Sequence, residues 1–383
     1  MIYIREGSHV QTLLFLLACV GEYPIKSLHL LGSERTWKAL ILKLTKTQEY
    51  CLKDTGERFR CKLLTVSGKG KYKTVRLHIS ALVILEKLDE AAYQYYLTHF
   101  DCHHFSGNQY HIDRHHRIAE AFAMFLQAGA LVWPHKLPDP NSRAVRGNQV
   151  SEPMFFLSRD LKEIWGHEMN KTKFSRLVGA TVYPGDCYTV FNSRDALMKW
   201  SGNGESKARD YLSIAFAGEI PAGQITSAVL FGQDYLVALR TLEEAARRRR
   251  YDLRFDNVYR HIHFIPMNAF GIKQLKTITM ENWHDWHRYM LYEEEEMADI
   301  YRPIEYDAII DGRYCLSHLD GDLCRLIRVK DALRQRPEVQ YEIICYPEQL
   351  SMVKEYMNEF RGKSRLSFST VTIDRACEYL FQP

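Results

Sequence analysis

The sequence predicts an α+β protein, with an N-terminal winged helix-turn-helix followed by a larger C-terminal α/β domain. Residues 1–80 read as three helical segments and then a glycine-rich, lysine-rich hairpin. Beyond residue 150, short apolar strands alternate with amphipathic helices, the pattern of an α/β layer structure. Charge divides along the same line. Residues 1–80 hold fourteen basic and six acidic side chains, a net of +8, although the whole 383-residue chain carries only +4. A cationic module on a mildly acidic body points to a polyanionic partner for the module alone.

In the first module, Val10 to Val20 is an apolar helix stopped by Gly21. Pro24 suits a first helical position, so Pro24 to Leu31 reads as a second helix. Ser33 caps a third, Glu34 to about Lys46, whose Trp37, Leu40, Ile41 and Leu44 recur at helical spacing. Phe59 to Val66 and Thr74 to Ser80 read as strands joined by Ser67-Gly68-Lys69-Gly70-Lys71. Three helices before a basic hairpin is the winged-helix order. A third helix entering a major groove needs a cationic outer face, and Arg35 and Lys38 supply it. A hairpin with two glycines lets backbone approach phosphates while Lys69, Lys71 and Lys73 neutralise them. The same pattern also suits a winged helix that binds protein.

Ala81 to Thr98 and Ile118 to Ala128 read as helices, and Trp133 to Pro153 as a loop rich in Pro, Asn and Gly. Domains are therefore expected at 1–90, 91–150 (helical connector and loop) and 151–383. Within the last, Ala180 to Phe191 reads as strand–turn–strand around Pro184-Gly185-Asp186. Ala228 to Phe231 and His263 to Ile265 read as strands, and Asp234 to Arg250 as a helix. Tyr306 to Leu319 should be a hairpin turning at Asp311-Gly312. Lys330 to Gln335, Glu348 to Phe360 and Asp374 to Phe381 follow as helices, with strands at Tyr341 to Cys345 and Leu366 to Ile373.

With 46 % hydrophobic and 26 % charged residues, the composition excludes a disordered chain, a collagen or a coiled-coil rod. No apolar run approaches the roughly 18–20 residues of a spanning helix, so no membrane partner is expected. Nine scattered cysteines with no CxxC pair indicate a reducing, cytoplasmic setting. Leu16-Leu17-Ala18-Cys19 resembles the end of a lipoprotein signal, but Arg5, Glu6 and His9 replace a clean basic leader.

Several groups bear chemistry. Six histidines fall between His99 and His116; His111 and His115 stand four apart, yet no Glu follows His111 as in HExxH and no third ligand is spaced for zinc, so no metal site is expected. Asp186, Glu205 and Lys207 match a P-D…E-x-K nuclease pattern, in which two carboxylates hold a divalent metal and a lysine positions water. Only that alternative, a DNA-nicking enzyme, would need a cofactor, Mg2+. Gly202-Asn203-Gly204 suggests that Glu205 opens a helix instead of lying on a strand. Asp320-Gly321-Asp322, with Asp307 and Asp311 upstream, reads as a surface turn, Arg247 to Arg250 as a cationic helix end or phosphate contact, and Glu293 to Glu296 as a solvated face. No Walker A, GxGxxG, Gly-x-Ser-x-Gly or kinase signature occurs.

Arg114-His115-His116-Arg117-Ile118-Ala119-Glu120-Ala121 and the Pro-x-Asp position, together with the basic first module, resemble the replication-relaxation proteins of plasmids and integrative elements. Asn192 to Trp200, His261 to Asn268 and Leu316 to Asp322 are similar to relatives carried by mobile elements of Firmicutes. The resemblance implies double-stranded DNA as partner, alongside proteins of replication or conjugation, and a role in replicating, relaxing or mobilising the element; a homodimer is compatible with it. Some members resemble nucleases of the restriction-endonuclease fold, with a carboxylate on the strand after Pro-x-Asp. Here Cys187 to Asn192 has none. The expectation is therefore a DNA binder with a degenerate, inactive body.

Overall fold

The computed structural model describes residues 1–100, 108–147, 149–165, 176–198, 203–216, 225–247, 255–297, 304–360 and 365–381. The fold is mixed α+β, as expected. The chain divides into two compact units, one of residues 1–127 with 131–137, the other of 128–130 with 138–383. The first unit thus reaches well past residue 90.

The first unit starts with β1 (Ile2–Ile4) and α1 (His9–Val20). Ser8 caps α1, and its apolar residues are almost all buried. Gly21 ends it at φ 77°, with a Cβ position 2.4 Å from the Phe100 ring, so both backbone and space demand glycine. β2 (Glu22–Pro24) leads into the expected second helix, a 3-10 helix over Ile25–Leu31. The segment is closed between Pro24 and Gly32, and the Tyr23 hydroxyl donates to the Ser27 carbonyl at 2.8 Å.

α2 (Glu34–Leu44) follows, then β3 (Gln48–Leu52), β4 (Arg58–Cys61), β5 (Leu64–Ser67) and β6 (Thr74–Leu77). The single strand expected over 59–66 is two strands in different sheets. β4 pairs with β3 in the order β1-β3-β4, and β5 pairs with β6 in the order β2-β6-β5. Between them the Leu63 amide donates to the Leu44 carbonyl at 3.2 Å, which turns the chain from one sheet to the other. The helix expected over 81–98 is also broken, into α3 (Leu82–Leu88) and α4 (Glu90–His99). Asp89 lies extended between them and caps α4 through the Ala92 amide at 3.0 Å. α5 (Gln109–Ala128) starts nine residues earlier than expected.

The second unit opens with the short α6 (Arg143–Arg146), then β7 (Met154–Leu157), α7 (Ser158–Trp165), β8 (Leu177–Tyr183) and β9 (Asp186–Arg194). After α8 (Asn203–Phe216) come β10 (Ser227–Gly232), α9 (Tyr235–Arg247) and β11 (His261–Pro266). These strands form one sheet in sequence order. β7, β8 and β9 are an antiparallel meander, and β9, β10 and β11 run parallel. All four residues of β7 and all seven of β8 are buried, so the sheet is covered on both faces.

α10 (Ala269–Ile278) and α11 (Trp283–Leu291) lead to a second sheet of β12 (Ala308–Ile310), β13 (Arg313–Ser317), β14 (Tyr341–Cys345) and β15 (Leu366–Thr370). β12 turns into β13 at Asp311-Gly312, as the sequence predicts, and β13, β14 and β15 are parallel. The intervening helices are α12 (Leu323–Gln335), α13 (Pro347–Tyr356) and, after β15, α14 (Ile373–Leu380). α12 begins seven residues before the expected helix. Its cap is Asp322, which accepts from the Cys324 amide at 2.9 Å. Among the described residues no helix is long and apolar enough to cross a membrane.

Candidate functional site

Two regions collect the charged side chains. In the first unit they face outward. α2 buries Trp37, Ile41 and Leu44, and the Trp37 indole donates to the Leu31 carbonyl at 2.8 Å while stacking on His9. That anchoring leaves Arg35, Lys38 and Lys43 exposed, with Leu42 among them. Lys38 pairs with Glu34 at 2.5 Å; its ammonium holds the Glu34 carboxyl below the ordinary range.

The β5–β6 connection carries Lys69, Lys71 and Lys73, all exposed. Gly68 sits at φ 80° with a Cβ position 2.3 Å from the Tyr72 carbonyl oxygen, so the tight turn requires glycine. The base of the ribbon is pinned: the Ile25 amide donates to the Lys73 carbonyl at 2.9 Å, and Ser67 and Thr74 hydroxyls meet at 3.1 Å. The tip presents Tyr72 beside Lys71, whose ammonium lies 5.3 Å from the ring centre. Sequence reasoning missed a second basic ribbon. Arg58 and Arg60 are exposed on the edge strand β4. The alternation Arg58-Phe59-Arg60-Cys61 was its signal, hidden by reading 59–66 as one strand.

Of the α5 histidines, His111 is exposed and His116 is buried. His116 is buried 3.3 Å from Glu22 of β2, and the Ser27 hydroxyl donates to Glu120 at 2.6 Å. Burial pushes the Glu22 carboxyl up, but hydrogen bonding and charge from His116 outweigh it and hold it below the ordinary range. The His99 ring stacks on Tyr95. His103 and His104 lie outside the described residues. No group of three metal-ligating side chains converges among the described residues.

In the second unit one group of charged side chains is buried around β11 and α12. Asp186 opens β9; its carboxylate accepts from the Cys187 amide at 2.7 Å and from the Tyr183 hydroxyl at 3.4 Å. Burial raises its pKa, only partly offset by the hydrogen bonds from Cys187 and Tyr183. Glu205 is buried in the first turn of α8, as the glycines before it suggested, and Lys207 is exposed on that helix. Glu205 acts electrostatically on Tyr259. Asp186 thus stands on β9, and Glu205 and Lys207 on α8. Of Arg247 to Arg250, the last three lie outside the described residues.

The Asp320-Gly321-Asp322 segment is a buried junction, not the surface turn expected. Asp322 is 0 % exposed and Asp320 3 %. Asp322 accepts from His261 Nδ1 at 2.7 Å and from the Ile262 amide at 3.0 Å, as well as capping α12. Burial would raise its carboxyl; the charge and hydrogen bond of His261 more than reverse that and keep it ionised. Asp320 lies 3.5 Å from His263, and here burial wins, raising the carboxyl. His261 and His263 stand on one face of β11 with near-parallel rings. Gly321 takes φ 70° with a Cβ position 2.6 Å from the Phe264 carbonyl oxygen, so no side chain fits where the loop crosses β11.

Alongside, Arg325 donates to Asp307 at 2.6 Å, to Glu305 at 2.8 Å and to the Ser317 carbonyl at 3.1 Å. Arg328 donates to the other Glu305 oxygen at 2.7 Å. Burial pushes Glu305 up, but the two guanidiniums bring it down to about 2. His318 is fully enclosed, with no hydrogen-bond partner on either ring nitrogen, and burial pushes it down to about 3. Asp320 and Asp322 thus brace β11 against the β13–α12 loop, while Arg325 ties α12 to the segment before β12 and to the end of β13. Comparison with protein-family models, curated proteins and solved structures gave no match.

Proposed function

We propose that the first unit binds double-stranded DNA as a winged helix, with the second unit a degenerate, non-catalytic body. The reading rests on one observation: the exposed cations sit on the two elements a winged helix would use. α1, the 3-10 helix and α2 take the places of the three helices, with α2 as the groove-facing one. The sheet order β2-β6-β5, in which a strand between the first two helices joins the later hairpin, supports that reading. Arg35 and Lys38 contact the major groove, and Lys69, Lys71 and Lys73 contact phosphates.

The resemblance of the sequence supports the wider setting, a replication-relaxation protein of a plasmid or integrative element acting in the cytoplasm beside replication or conjugation proteins. The sequence-ordered sheet of the second unit, an antiparallel meander feeding parallel strands, agrees with a body of restriction-endonuclease type. β9 carries no carboxylate after Asp186, which favours an accessory binder over the nicking alternative with Mg2+.

The test is an electrophoretic shift of the full chain on duplex DNA at low salt. Retention that Arg35→Ala and Lys71→Ala each weaken supports the reading. Absence of any retention removes it and leaves a protein-binding winged helix.

A further inference from the structure

α11 has one face inside and one outside, and the outer face is aromatic. Inward, His287 is 3 % exposed, and Met290 and Leu291 pack into the core around Leu319 and Tyr346. Trp283 stacks edge-on against His263 and His287. Outward, Trp286 is 47 % and Tyr289 54 % exposed. Three residues apart on a helix, their side chains are neighbours. Large aromatic rings left in water at adjacent positions are what a binding hot spot looks like before its partner arrives.

The chemistry around them selects the partner. Residues 281–296 hold six carboxylates, Glu281, Asp285 and Glu293 to Glu296, against the single Arg288. Glu281, Asp285, Glu293 and Glu294 are exposed. Arg288 is mostly covered and lies 3.8 Å from Asp285. Carboxylates therefore outnumber cations along this stretch, and the faces of Trp and Tyr attract cations. Such a surface repels nucleic acid and other acidic partners and suits a flat guanidinium that stacks on indole while pairing with a carboxylate.

We propose that the outer face of α11 with the Glu293-Glu294 shoulder is a docking site for an arginine-rich segment of a protein partner. Arginine side chains stack on Trp286 and Tyr289 while Asp285, Glu293 and Glu294 pair with their guanidiniums. The site belongs to the second unit and is independent of the DNA reading of the first.

The probe is a fluorescein-labelled peptide of alternating arginine and glycine, titrated with the full chain in an anisotropy measurement. Lysine–glycine and glutamate–glycine peptides serve as controls. The proposal expects saturable binding of the arginine peptide, weaker binding of the lysine peptide and none of the acidic one. Trp286→Ala with Tyr289→Ala should weaken binding at least about tenfold, as should Asp285→Asn with Glu293→Gln and Glu294→Gln. Both variants change exposed side chains, and their urea unfolding midpoints should match the parent's. Arginine and lysine peptides bound alike, with affinity unchanged by loss of the aromatic pair, would reduce the surface to unspecific acidity and overturn the proposal. So would concentration-dependent self-association abolished by the same aromatic substitutions, which would make the occupant a second copy. Failure here leaves DNA retention by the full chain untouched, so the two readings fail separately.

Discussion

The two units handle charge in opposite ways. In the first, Arg35, Lys38, Lys69, Lys71 and Lys73 stand in water on elements fixed from beneath by apolar anchors and backbone hydrogen bonds. In the second, Asp307, Asp320, Asp322 and Arg325 are almost entirely enclosed. Exposed charges contribute little to stability and are available to a partner. Enclosed charges are costly to desolvate and persist only when each is satisfied, so they hold a particular arrangement of elements together. Disturbing them should therefore have different outcomes: loss of binding in the first unit, loss of structure in the second.

The largest expected effect breaks the buried network. Asp307→Asn leaves Arg325 short of its closest counter-charge and should lower unfolding free energy by about 3–5 kcal/mol, read by urea denaturation. A loss below about 1 kcal/mol would mean that the network is not structural. Gly321→Ala comes next. Its positive φ and the Phe264 carbonyl in its path predict a cost of about 2–3 kcal/mol in the same assay.

The third effect depends on pH. His318 is held down to about 3 when folded, whereas an unfolded histidine titrates near 6.5. Below about pH 6.5 the unfolded chain takes up a proton that the folded site refuses, so stability falls as pH falls. At pH 5 the penalty from this group is about 2 kcal/mol. Glu305, depressed to about 2 in the fold, loses its contribution in the same direction as pH drops through the carboxylate range. His318→Phe should flatten the decline between pH 7 and pH 5. An unchanged decline would show that the ring is solvated. The smallest stability effect belongs to the first unit: replacing Lys69, Lys71 and Lys73 by alanine should shift unfolding by less than about 0.5 kcal/mol.

The same contrast explains what the sequence reveals. Local chemistry was legible. Gly21 stopped α1, Ser33 capped α2, and Pro184-Gly185 and Asp311-Gly312 marked turns that the structure contains. Glu205 entering a helix was readable from the glycines before it. Exposed cations were readable too, because exposure needs no distant partner. Long-range organisation was not. β3 has no alternation strong enough to announce itself, and its partners β1 and β4 lie on either side of it in sequence. Asp320-Gly321-Asp322 has the composition of a surface turn. Its burial is decided by His261, about sixty residues earlier, for which no spacing rule exists. The second basic ribbon was lost because a two-residue break, Lys62-Leu63, separates strands belonging to different sheets.

The measurement that bears most directly on the first unit's role is the salt dependence of duplex DNA binding by the full chain, compared with the variant lacking Lys69, Lys71 and Lys73. Each neutralised phosphate should contribute a slope of about −0.9 to log K against log salt, so the variant should lose up to about 3 units of slope while unfolding like the parent. A parent whose affinity does not change with salt, or a variant with the same slope as the parent, would contradict the assignment of that ribbon to the DNA backbone.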